Sequence, residues 1–453
     1  MTPNSFAYIA FLVIGALIYH PLSQKAKKPF LLLLNFMFYA IGGVKFLPLL
    51  ALTVAFNFFA AQKLERTERK RSLLTLVLVL NLGALGLFKY LGFFGELLGC
   101  TGVQLSLPQL ALPIGISFYT FVICGYMIDV YRGREAERNF LDFALFTTFF
   151  PAILSGPIER SKSLLPQFKQ PRRANADDVR FAAERLIEGT VKKVLLADNL
   201  AILVNTAYAD PAQFSGLELA FAAVAYALQI YCDFSAYSDM AIGSARLFGI
   251  TLMENFHAPY MAQSSKEFWH RWHISLSTWF RDYVYIPLGG NRCPPARHIF
   301  NLLAVWTLTG FWHGANWTFM AWGLYFGVLL ILEKKFLAEW ITRLPSVLQH
   351  LYALFFIVIG WVFFRSDSMG LAVQYLGSMF TSTVPLNRFV IEYLLRFWPY
   401  LLFGVVLSAP VFPRLKSTRI WRVLEFPVLA VLFTLCLMRL LASSYNPFIY
   451  FRF

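Results

Sequence analysis

The sequence predicts an all-α, polytopic integral membrane protein. Of its 453 residues, 58% are hydrophobic and 17% are aromatic, whereas only 14% are charged. A soluble domain of this size needs a far larger share of charged residues at its surface. The hydrophobic residues form runs of about 20, the length of a helix that crosses a bilayer. These runs are too long, and alternate too little, for the strands of a transmembrane barrel.

About eleven or twelve such crossings are expected along the chain. The first run, at 6–22, lacks a basic segment before it and a small-residue cleavage site after it, so we interpret it as a retained span. The run at 30–61 is too long for one span and is interrupted at Gly42 and Gly43, which predicts a hairpin of two. The other predicted spans lie at 73–98, 107–131, 182–207, 217–235, 299–312, 315–333, 347–364, 392–411 and 423–442.

Charge placement predicts the orientation of these spans. The chain has 40 basic and 25 acidic residues, a formal net charge of +15. Basic residues gather in short loops near 25–28, 63–71 and 132–138, which the positive-inside rule places in the cytoplasm, with the N-terminus outside. Such loops also meet anionic lipid head groups. The positive charge therefore does not indicate a nucleic-acid partner.

One apolar segment, 140–158, should not cross the membrane. It lies between the basic loop at 132–138 and another at 160–193, and Pro151, Gly156 and Pro157 interrupt any helix there. We therefore expect a re-entrant loop that lines a cavity. No polar stretch is long enough to fold separately, so a single integral-membrane domain is expected over 1–453.

Other site chemistries have no support in the sequence. The cysteines are scattered, without the spacing of a zinc site or a disulfide framework. Nucleotide-binding, hydrolase-elbow and metalloprotease motifs are also absent from the sequence. We expect neither a metal nor a permanently bound cofactor. The five cysteines are Cys100, Cys124, Cys232, Cys293 and Cys436.

The segment 266–283 has the periodicity of one amphipathic helix. Trp269, Trp272 and Trp279 fall on its apolar side and Arg281 on its polar side. We expect this helix to lie at the membrane surface, with its tryptophans at head-group depth. His273 falls at the boundary between the two faces. On this pattern alone, a structural histidine bonded to a backbone carbonyl is as good an interpretation as a functional one.

His313 is the stronger candidate for catalysis. It follows the charge-free stretch 301–311, and burying an imidazole there is costly without a function. Gly310 and Gly314 leave room for a substrate to approach, and Asn316 is spaced to orient the ring. Imidazole has the pKa that a general base needs. The alternative is a buried histidine that bridges two helices.

Carboxylates are rare in the apolar runs. Asp233 and Asp239 lie near the end of one span, and Glu254 and Asp282 flank the amphipathic segment. Buried ion pairs that hold helices together are a better interpretation of these residues than direct catalytic roles.

Several motifs taken together resemble the membrane-bound O-acyltransferase (MBOAT) family, and most closely its branch of bacterial polysaccharide acetylases typified by alginate O-acetyltransferase. The resemblance covers nearly the whole chain. It rests on WHISLSTWFRDYVYIPLGGNR (272–292), FWHGANWTFMAWGLYFG (311–327), LPIGISFYTF (112–121), MIDVYRG (127–133), FPAILSGPIER (150–160), YCDFSAYSDMAIG (231–243) and NPFIYFRF (446–453).

The resemblance implies a fold of many helices around a central tunnel, with a cytoplasmic funnel for the acyl donor. His313 matches the family's catalytic histidine and His273 its second motif histidine. His270 stands where arginine is expected in this branch, so it is given no role. The D-alanyl-transferring branch has a similar plan, but the segment 277–292 favours the acetylating one.

The expected function is O-acetylation of an extracytoplasmic, alginate-like polysaccharide with acetyl from cytosolic acetyl-CoA. A separate periplasmic or extracellular acetyltransferase partner (SGNH-like) would complete the transfer, and the location would be the bacterial cytoplasmic (inner) membrane. D-alanyl transfer to teichoic acid and a proton- or substrate-coupled transporter remain alternatives. The candidate substrate-binding residues are Trp269, Trp272, Arg281, Asp282, Trp312 and Asn316.

Overall fold

The computed structural model describes residues 3, 5–99, 108, 110–386, 388–409 and 411–442, and it confirms the all-α prediction. The motif at 446–453 and the first residues of the predicted span 107–131 lie outside this part of the chain. The helices before residue 210 are α1 (Phe6–Tyr19), α2 (Gln24–Gly43), α3 (Leu47–Arg66), α4 (Lys70–Gly99), α5 (Ile116–Tyr131), α6 (Phe140–Thr148), α7 (Ser161–Lys169), α8 (Ala176–Thr190) and α9 (Asp198–Ala209). The later helices are α10 (Gly216–Leu247), α11 (Ser265–Arg271), α12 (Ile274–Phe280), α13 (Pro295–His313), α14 (Trp317–Leu332), α15 (Ala338–Arg343), α16 (Ser346–Arg365), α17 (Met369–Thr381), α18 (Arg388–Ser408), α19 (Val411–Lys416) and α20 (Arg419–Ala442).

The helices confirm a multi-pass membrane protein. Within the described residues, five stretches are long and apolar enough to cross a bilayer, and three shorter helices are also apolar. Each predicted span contains helix, although in the span 107–131 the helix begins only at Ile116, and the number of crossings stays a prediction. The five long stretches are Gln24–Arg66, Lys70–Gly99, Gly216–Leu247, Ser346–Arg365 and Val423–Leu441.

The predicted interruption of the run at 30–61 is confirmed, while the crossing of the membrane by both halves stays a prediction. Helix α2 ends at Gly43, a 3₁₀ turn covers Val44–Phe46, and α3 begins at Leu47 and packs against α2.

The chain divides into two compact units. Unit 1 comprises Met1–Leu186 and Met240–Met253, and unit 2 comprises Ile187–Asp239 and Glu254–Phe453. In unit 1, the side-chain amides of Asn57 and Asn81 donate to each other's oxygens, at 3.0 and 2.9 Å, and so join α3 to α4. Such polar bonds between helices are a usual device where lipid surrounds the helices.

The segment 140–158 forms a short helix followed by irregular backbone. Helix α6 ends at Thr148, as Pro151 requires, and the backbone N–H of Phe150 donates to Asn35 Oδ1 at 3.0 Å. Phe149, Phe150 and Ile158 are buried inside unit 1. Burial of irregular backbone among protein groups is what a membrane interior demands. A re-entrant path that lines a cavity stays a prediction.

Unit 2 has an aromatic core that packs residues of α9, α10, α11, α13, α14 and α16 together. Its largest fully buried side chains are Trp272, Trp322 and Trp361. The site residues lie in this unit.

Candidate active site

The segment 266–283 is not the single amphipathic helix that its periodicity predicts. Helix α11 ends at Arg271, α12 starts at Ile274, and His273 between them has left-handed backbone angles, φ 44° and ψ 54°. The N–H of Ile274 donates to the carbonyl of Asn255 at 3.0 Å, which holds the break in place. A non-glycine residue in this conformation costs about 1–3 kcal/mol and is often found at functional sites.

The break turns the His273 ring into the interior of unit 2. His273 is buried, and its ring packs edge-on against Phe234 of α10, with centroids 4.7 Å apart. Its Nδ1 lies 3.2 Å from the side-chain oxygen of Asn255. An uninterrupted helix would have carried this imidazole along the boundary of the two faces instead.

Asn255 fixes which ring nitrogen carries the proton. Its Oδ1 accepts from the backbone N–H of Ser275 at 3.1 Å, and its Nδ2 donates to Ser238 at 3.2 Å, so the amide orientation is defined. Because that oxygen is only an acceptor, the Nδ1 of a neutral His273 holds the proton and Nε2 keeps its lone pair. His273 therefore offers Nε2 as a base or a hydrogen-bond acceptor.

His313 is the last residue of α13 and sits among aromatic rings. Its imidazole is 5.0 Å from Trp322 and 5.1 Å from Phe364, both in edge-on contact, and only 5% of the residue is exposed. Such packing fixes the ring position and excludes bulk water from the imidazole.

The two histidines contact the same indole. The ring centroid of Trp312 is 6.2 Å from that of His273 and 4.9 Å from that of His313. The structure thus brings together both histidines and the predicted substrate-binding residue Trp312, although their roles stay predictions.

Two other predicted substrate-binding residues are core residues. Trp269 packs against Trp306 at 4.7 Å, and Trp272 packs against Trp361 at 4.9 Å. Both indoles are at least nine-tenths buried. The apolar side of this segment therefore packs into unit 2 and does not face outward, while the depth of these tryptophans in the membrane stays a prediction.

Arg281 and Asp282 lie on a π-helical turn, Arg281–Tyr285, that follows α12. They form an ion pair with each other at 2.8 Å, and the Arg281 side chain is 57% exposed. Neither side chain is held rigidly by this exposed pair, and a substrate contact at this turn stays a prediction.

The glycines next to His313 pack helices together. A Cβ at Gly310 would overlap the carbonyl oxygen of Phe319, and one at Gly323 would overlap that of Trp306. A Cβ at Gly314 would overlap the Phe319 ring. The space expected here for a substrate is therefore filled by α14, which the glycines allow to lie against α13.

Asn316 caps α14 instead of orienting the His313 ring. Its Oδ1 accepts from the N–H of Thr318 at 3.0 Å, and its Nδ2 donates to the carbonyl of Asp367 at 2.9 Å. The side chain is thereby committed to two structural bonds.

The buried carboxylates of α10 form ion pairs, as the sequence favours, and their partners are two lysines. Lys193 Nζ lies 2.7 Å from Asp233 and 3.0 Å from Asp198, and Lys192 Nζ lies 2.6 Å from Asp239. In the sequence both lysines fall in the basic loop at 160–193, which overlaps the start of the predicted span 182–207. The structure places them on a buried π-helical turn, Val191–Ala197, between α8 and α9.

Sequence reasoning missed Asn255 and this lysine pair. Nothing in the local pattern marks Asn255, whereas Lys192 and Lys193 interrupt an otherwise apolar run, which is a signal of buried pairing.

Comparison with known proteins finds a matching family model and several similar chains. A family model for the membrane-bound O-acyltransferases matches residues 131–365. A probable alginate O-acetylase, AlgI, of Pseudomonas putida is 35% identical over 99% of this chain and 99% of its own length. A peptidoglycan O-acetyltransferase of Helicobacter pylori is 36% identical over 82% and 78% of the two chains. A teichoic acid D-alanyltransferase of Streptococcus thermophilus is 29% identical over 50% and 58%.

The chain belongs to the membrane-bound O-acyltransferase family. It is a multi-pass membrane enzyme that transfers acyl groups to hydroxyl oxygens.

Proposed function

We propose that this enzyme moves an acetyl group from cytosolic acetyl-CoA across the membrane for O-acetylation of an extracytoplasmic polysaccharide. Relatives named for acetylation of alginate and of peptidoglycan match most of this chain, whereas the relative named for D-alanyl transfer matches half of it. An acetyl donor and an alginate-like acceptor are therefore favoured over D-alanyl transfer to teichoic acid.

The observation that supports acyl transfer most is the placement of two buried imidazoles against Trp312. In the proposed reaction, His313 accepts the proton of the acceptor hydroxyl, and that oxygen attacks the thioester carbonyl carbon. The new C–O bond forms, the C–S bond breaks, and the proton passes to the departing thiolate. An imidazole in this role raises the rate by about 10²–10⁴.

His273 plays the second part in this proposal. With its Nδ1 proton held at Asn255, its Nε2 accepts a hydrogen bond that orients the acceptor hydroxyl toward His313. The surrounding aromatic rings keep water from competing with the acceptor for the acyl group.

The acetyl donor enters at a basic end of unit 2. At this end Glu333, after α14, accepts from the backbone N–H groups of Ser265 and Lys266, at 2.8 and 3.2 Å. The positive-inside rule makes this end cytoplasmic, and its charge attracts the phosphates of CoA. The basic residues in the segments before α12, around the start of α13 and after α14 are Lys266, Arg271, Arg292, Arg297, Lys334 and Lys335.

The polysaccharide acceptor lies on the other side of the membrane. In the part of the chain that the structure describes, no segment between the helices is long enough to form a glycan-binding domain. We therefore assign the final transfer to a separate periplasmic or extracellular SGNH-like partner, at the bacterial cytoplasmic (inner) membrane.

Release of CoA thiol tests this function. The purified protein in lipid nanodiscs is given acetyl-CoA, with and without membranes that contain the partner and the polymer. Acyl transfer predicts thiol release that depends on the protein and increases with the acceptor system. Consumption of a D-alanyl thioester alone would favour the teichoic acid reaction, and no thioester consumption at all would favour a transporter.

A further inference from the structure

We propose that the start of α2 binds a phosphate group, which Lys27 holds together with Arg173 of the segment between α7 and α8. The site lies in unit 1 and goes beyond the proposed acetyl transfer, because its ligand takes no part in that reaction. A phospholipid head group and a soluble phosphate offer the same chemistry, and the binding test distinguishes these two sources.

Lys27 is a buried cation without a hydrogen-bond acceptor. Its exposed fraction is 0%, and its Nζ has no hydrogen-bond partner within the described residues. This Nζ lies over the ring of Tyr19, 4.9 Å from the ring centroid. An aromatic face attracts an ammonium group, but the three N–H donors of a lysine need acceptor atoms. Buried charges are normally paired, so the position of Nζ points to an anionic ligand.

The cations next to these two residues in the sequence do have carboxylate partners. Lys28 Nζ lies 2.7 Å from Asp142 Oδ1, and Arg172 is bound by the carboxylate in the first turn of α8. In the part of the chain that the structure describes, neither Lys27 nor Arg173 forms an ion pair. Two positive charges of this end of unit 1 are thus left for a ligand.

The charged group that acts on Lys27 from a neighbouring segment is itself positive. The guanidinium of Arg173 lies within electrostatic range of the Lys27 ammonium. Two like charges repel, whereas an anion bound by both converts the repulsion into two attractions. Arg173 is exposed, so a ligand can reach the pair from outside the protein.

Contacts at the end of α1 bring Arg173 to the start of α2. The Tyr19 ring packs edge-on against Phe248, with centroids 5.2 Å apart. Gly249, the next residue, lies so close to Arg172 that a Cβ there would be 2.7 Å from the Arg172 carbonyl oxygen. The backbone before Arg173 therefore runs along the turn that also supports the Tyr19 ring.

The N-terminus of α2 favours the same kind of ligand. The N-cap Ser23 makes no side-chain cap bond, and the first turn contains no acidic residue. The N–H groups of this turn carry partial positive charge, which attracts a phosphate. Side chains of a helix point back toward its N-terminus, so Lys27, the fourth residue of α2, extends its ammonium toward these groups.

The site is on the side that the positive-inside rule makes cytoplasmic. Lys27 belongs to the basic loop near 25–28, and Arg173 belongs to the basic loop at 160–193. Phosphate groups reach this side as anionic phospholipids of the inner leaflet or as soluble phosphates. Exposed basic residues of these loops attract many head groups loosely, whereas the buried ammonium of Lys27 selects a single anion.

Thermal unfolding of the full-length protein in a neutral detergent tests the inference without requiring acyl transfer. The unfolding midpoint is measured with inorganic phosphate against chloride at the same ionic strength, and with phosphatidylglycerol against diacylglycerol of the same chains. A ligand that binds only the folded protein raises the midpoint as its concentration increases. A rise with inorganic phosphate assigns the site to a soluble phosphate, and a rise only with phosphatidylglycerol assigns it to a lipid.

Lys27→Met separates this site from general effects of charge. The ligand concentration needed for a given rise in the midpoint should increase about tenfold or more, because a charged hydrogen bond is lost. Arg173→Gln should increase it about three- to tenfold, since the exposed guanidinium is partly screened. Arg173→Gln changes an exposed residue, so it keeps the test decisive if Lys27→Met does not fold.

Matched controls remove the same charge from exposed basic residues. Lys25→Met lies in the first turn of the same helix, and Arg71→Gln lies in another basic loop. Both variants should respond to the ligand like the unchanged protein.

The inference is overturned if phosphate and phosphatidylglycerol raise the midpoint no more than chloride and diacylglycerol do. Equal responses of the Lys27 and Lys25 variants, or of the Arg173 and Arg71 variants, would also overturn it. Failure of the proposed function is seen separately, as absence of CoA release by the unchanged protein.

Discussion

The Nδ1 atom of His273 lies 3.2 Å from the Oδ1 atom of Asn255, an oxygen that also accepts from the backbone and the hydroxyl of Ser275. The side-chain amide of Asn255 holds one tautomer of the imidazole. The backbone carbonyl of Asn255 accepts from the N–H of Ile274 and so anchors the left-handed turn at His273. The chemistry at His273 therefore depends on a residue that approaches no substrate in our account.

Replacing Asn255 with alanine should impair turnover more than binding. The Nδ1 proton loses its acceptor, so the ring is free to change tautomer, and we expect kcat to fall about 10–100-fold with little change in KM for acetyl-CoA. Asn255→Asp keeps an acceptor at the same place and should recover part of the rate. Steady-state thiol release measures both constants, and a normal kcat in the alanine variant would contradict the positioning role.

Lys193→Met should destabilise the protein strongly. It leaves Asp233 buried beside Asp198 without its main cation, and breaking a buried pair costs about 3–5 kcal/mol. The double variant Lys193→Met with Asp233→Asn removes both charges and should recover much of the lost stability. Thermal unfolding in detergent measures the difference, and equal stability of the two variants would count against a coupled pair.

Gly310→Ala should disturb both packing and catalysis. The added methyl overlaps the Phe319 carbonyl, so α13 and α14 must separate, at a cost of about 1–3 kcal/mol, and His313 moves with α13. Gly377→Ala is the matched control, because a Cβ there meets nothing within 4 Å. This control is expected to be neutral or to stabilise by about 0.4–1 kcal/mol. Similar behaviour of the two variants in thermal unfolding and thiol release would refute the packing role of Gly310.

Acid should weaken unit 1 through Asp178, which lies in the first turn of α8. Arg172 binds both oxygens of this carboxylate and Arg246 adds a third bond, so the pKa of Asp178 lies well below its usual value. A lowered carboxyl pKa contributes stability in full above the unfolded value of about 3.9, and the contribution is lost as pH falls toward the folded value.

Asp178→Asn should therefore unfold at a lower temperature than the unchanged protein at pH 7. The difference in unfolding temperature between the two proteins should narrow on acidification from about pH 4 downward, because only the unchanged protein loses the stabilisation by ionised Asp178 there. Unfolding scans across that range provide the check, and a gap that stays constant with pH would contradict the ion-pair origin of the effect.

The lengths of the apolar runs and the positions of helix-breaking residues predict the fold well. Apolar run length predicts the helices, Gly42 and Gly43 predict the hairpin break, and Pro151 predicts the end of α6 at Thr148. These features succeed because span length and helix breakers act locally, through the bilayer thickness and the backbone itself.

Contacts between residues that are far apart in the chain cannot be predicted from the sequence. Helical periodicity cannot reveal the left-handed residue at His273, since that conformation is held by Asn255, eighteen positions away. Charge alone suggested a loop for Lys193, because its partner Asp233 lies on another helix forty positions along the chain. The sequence likewise suggests open space for a substrate at Gly310, because the contact with Phe319 that fills this space forms only in the folded protein.

The most direct test of the account is acetyl transfer by His313→Ala compared with His270→Ala. Both variants remove one imidazole, but His270 is exposed on α11 and bonds only the Lys266 carbonyl of its own helix in the described structure. We predict that the His313 variant keeps its fold and loses about 10²-fold or more of the acetyl transfer rate, whereas the His270 variant transfers acetyl normally. A folded His313→Ala protein that transfers acetyl at the unchanged rate would contradict the account.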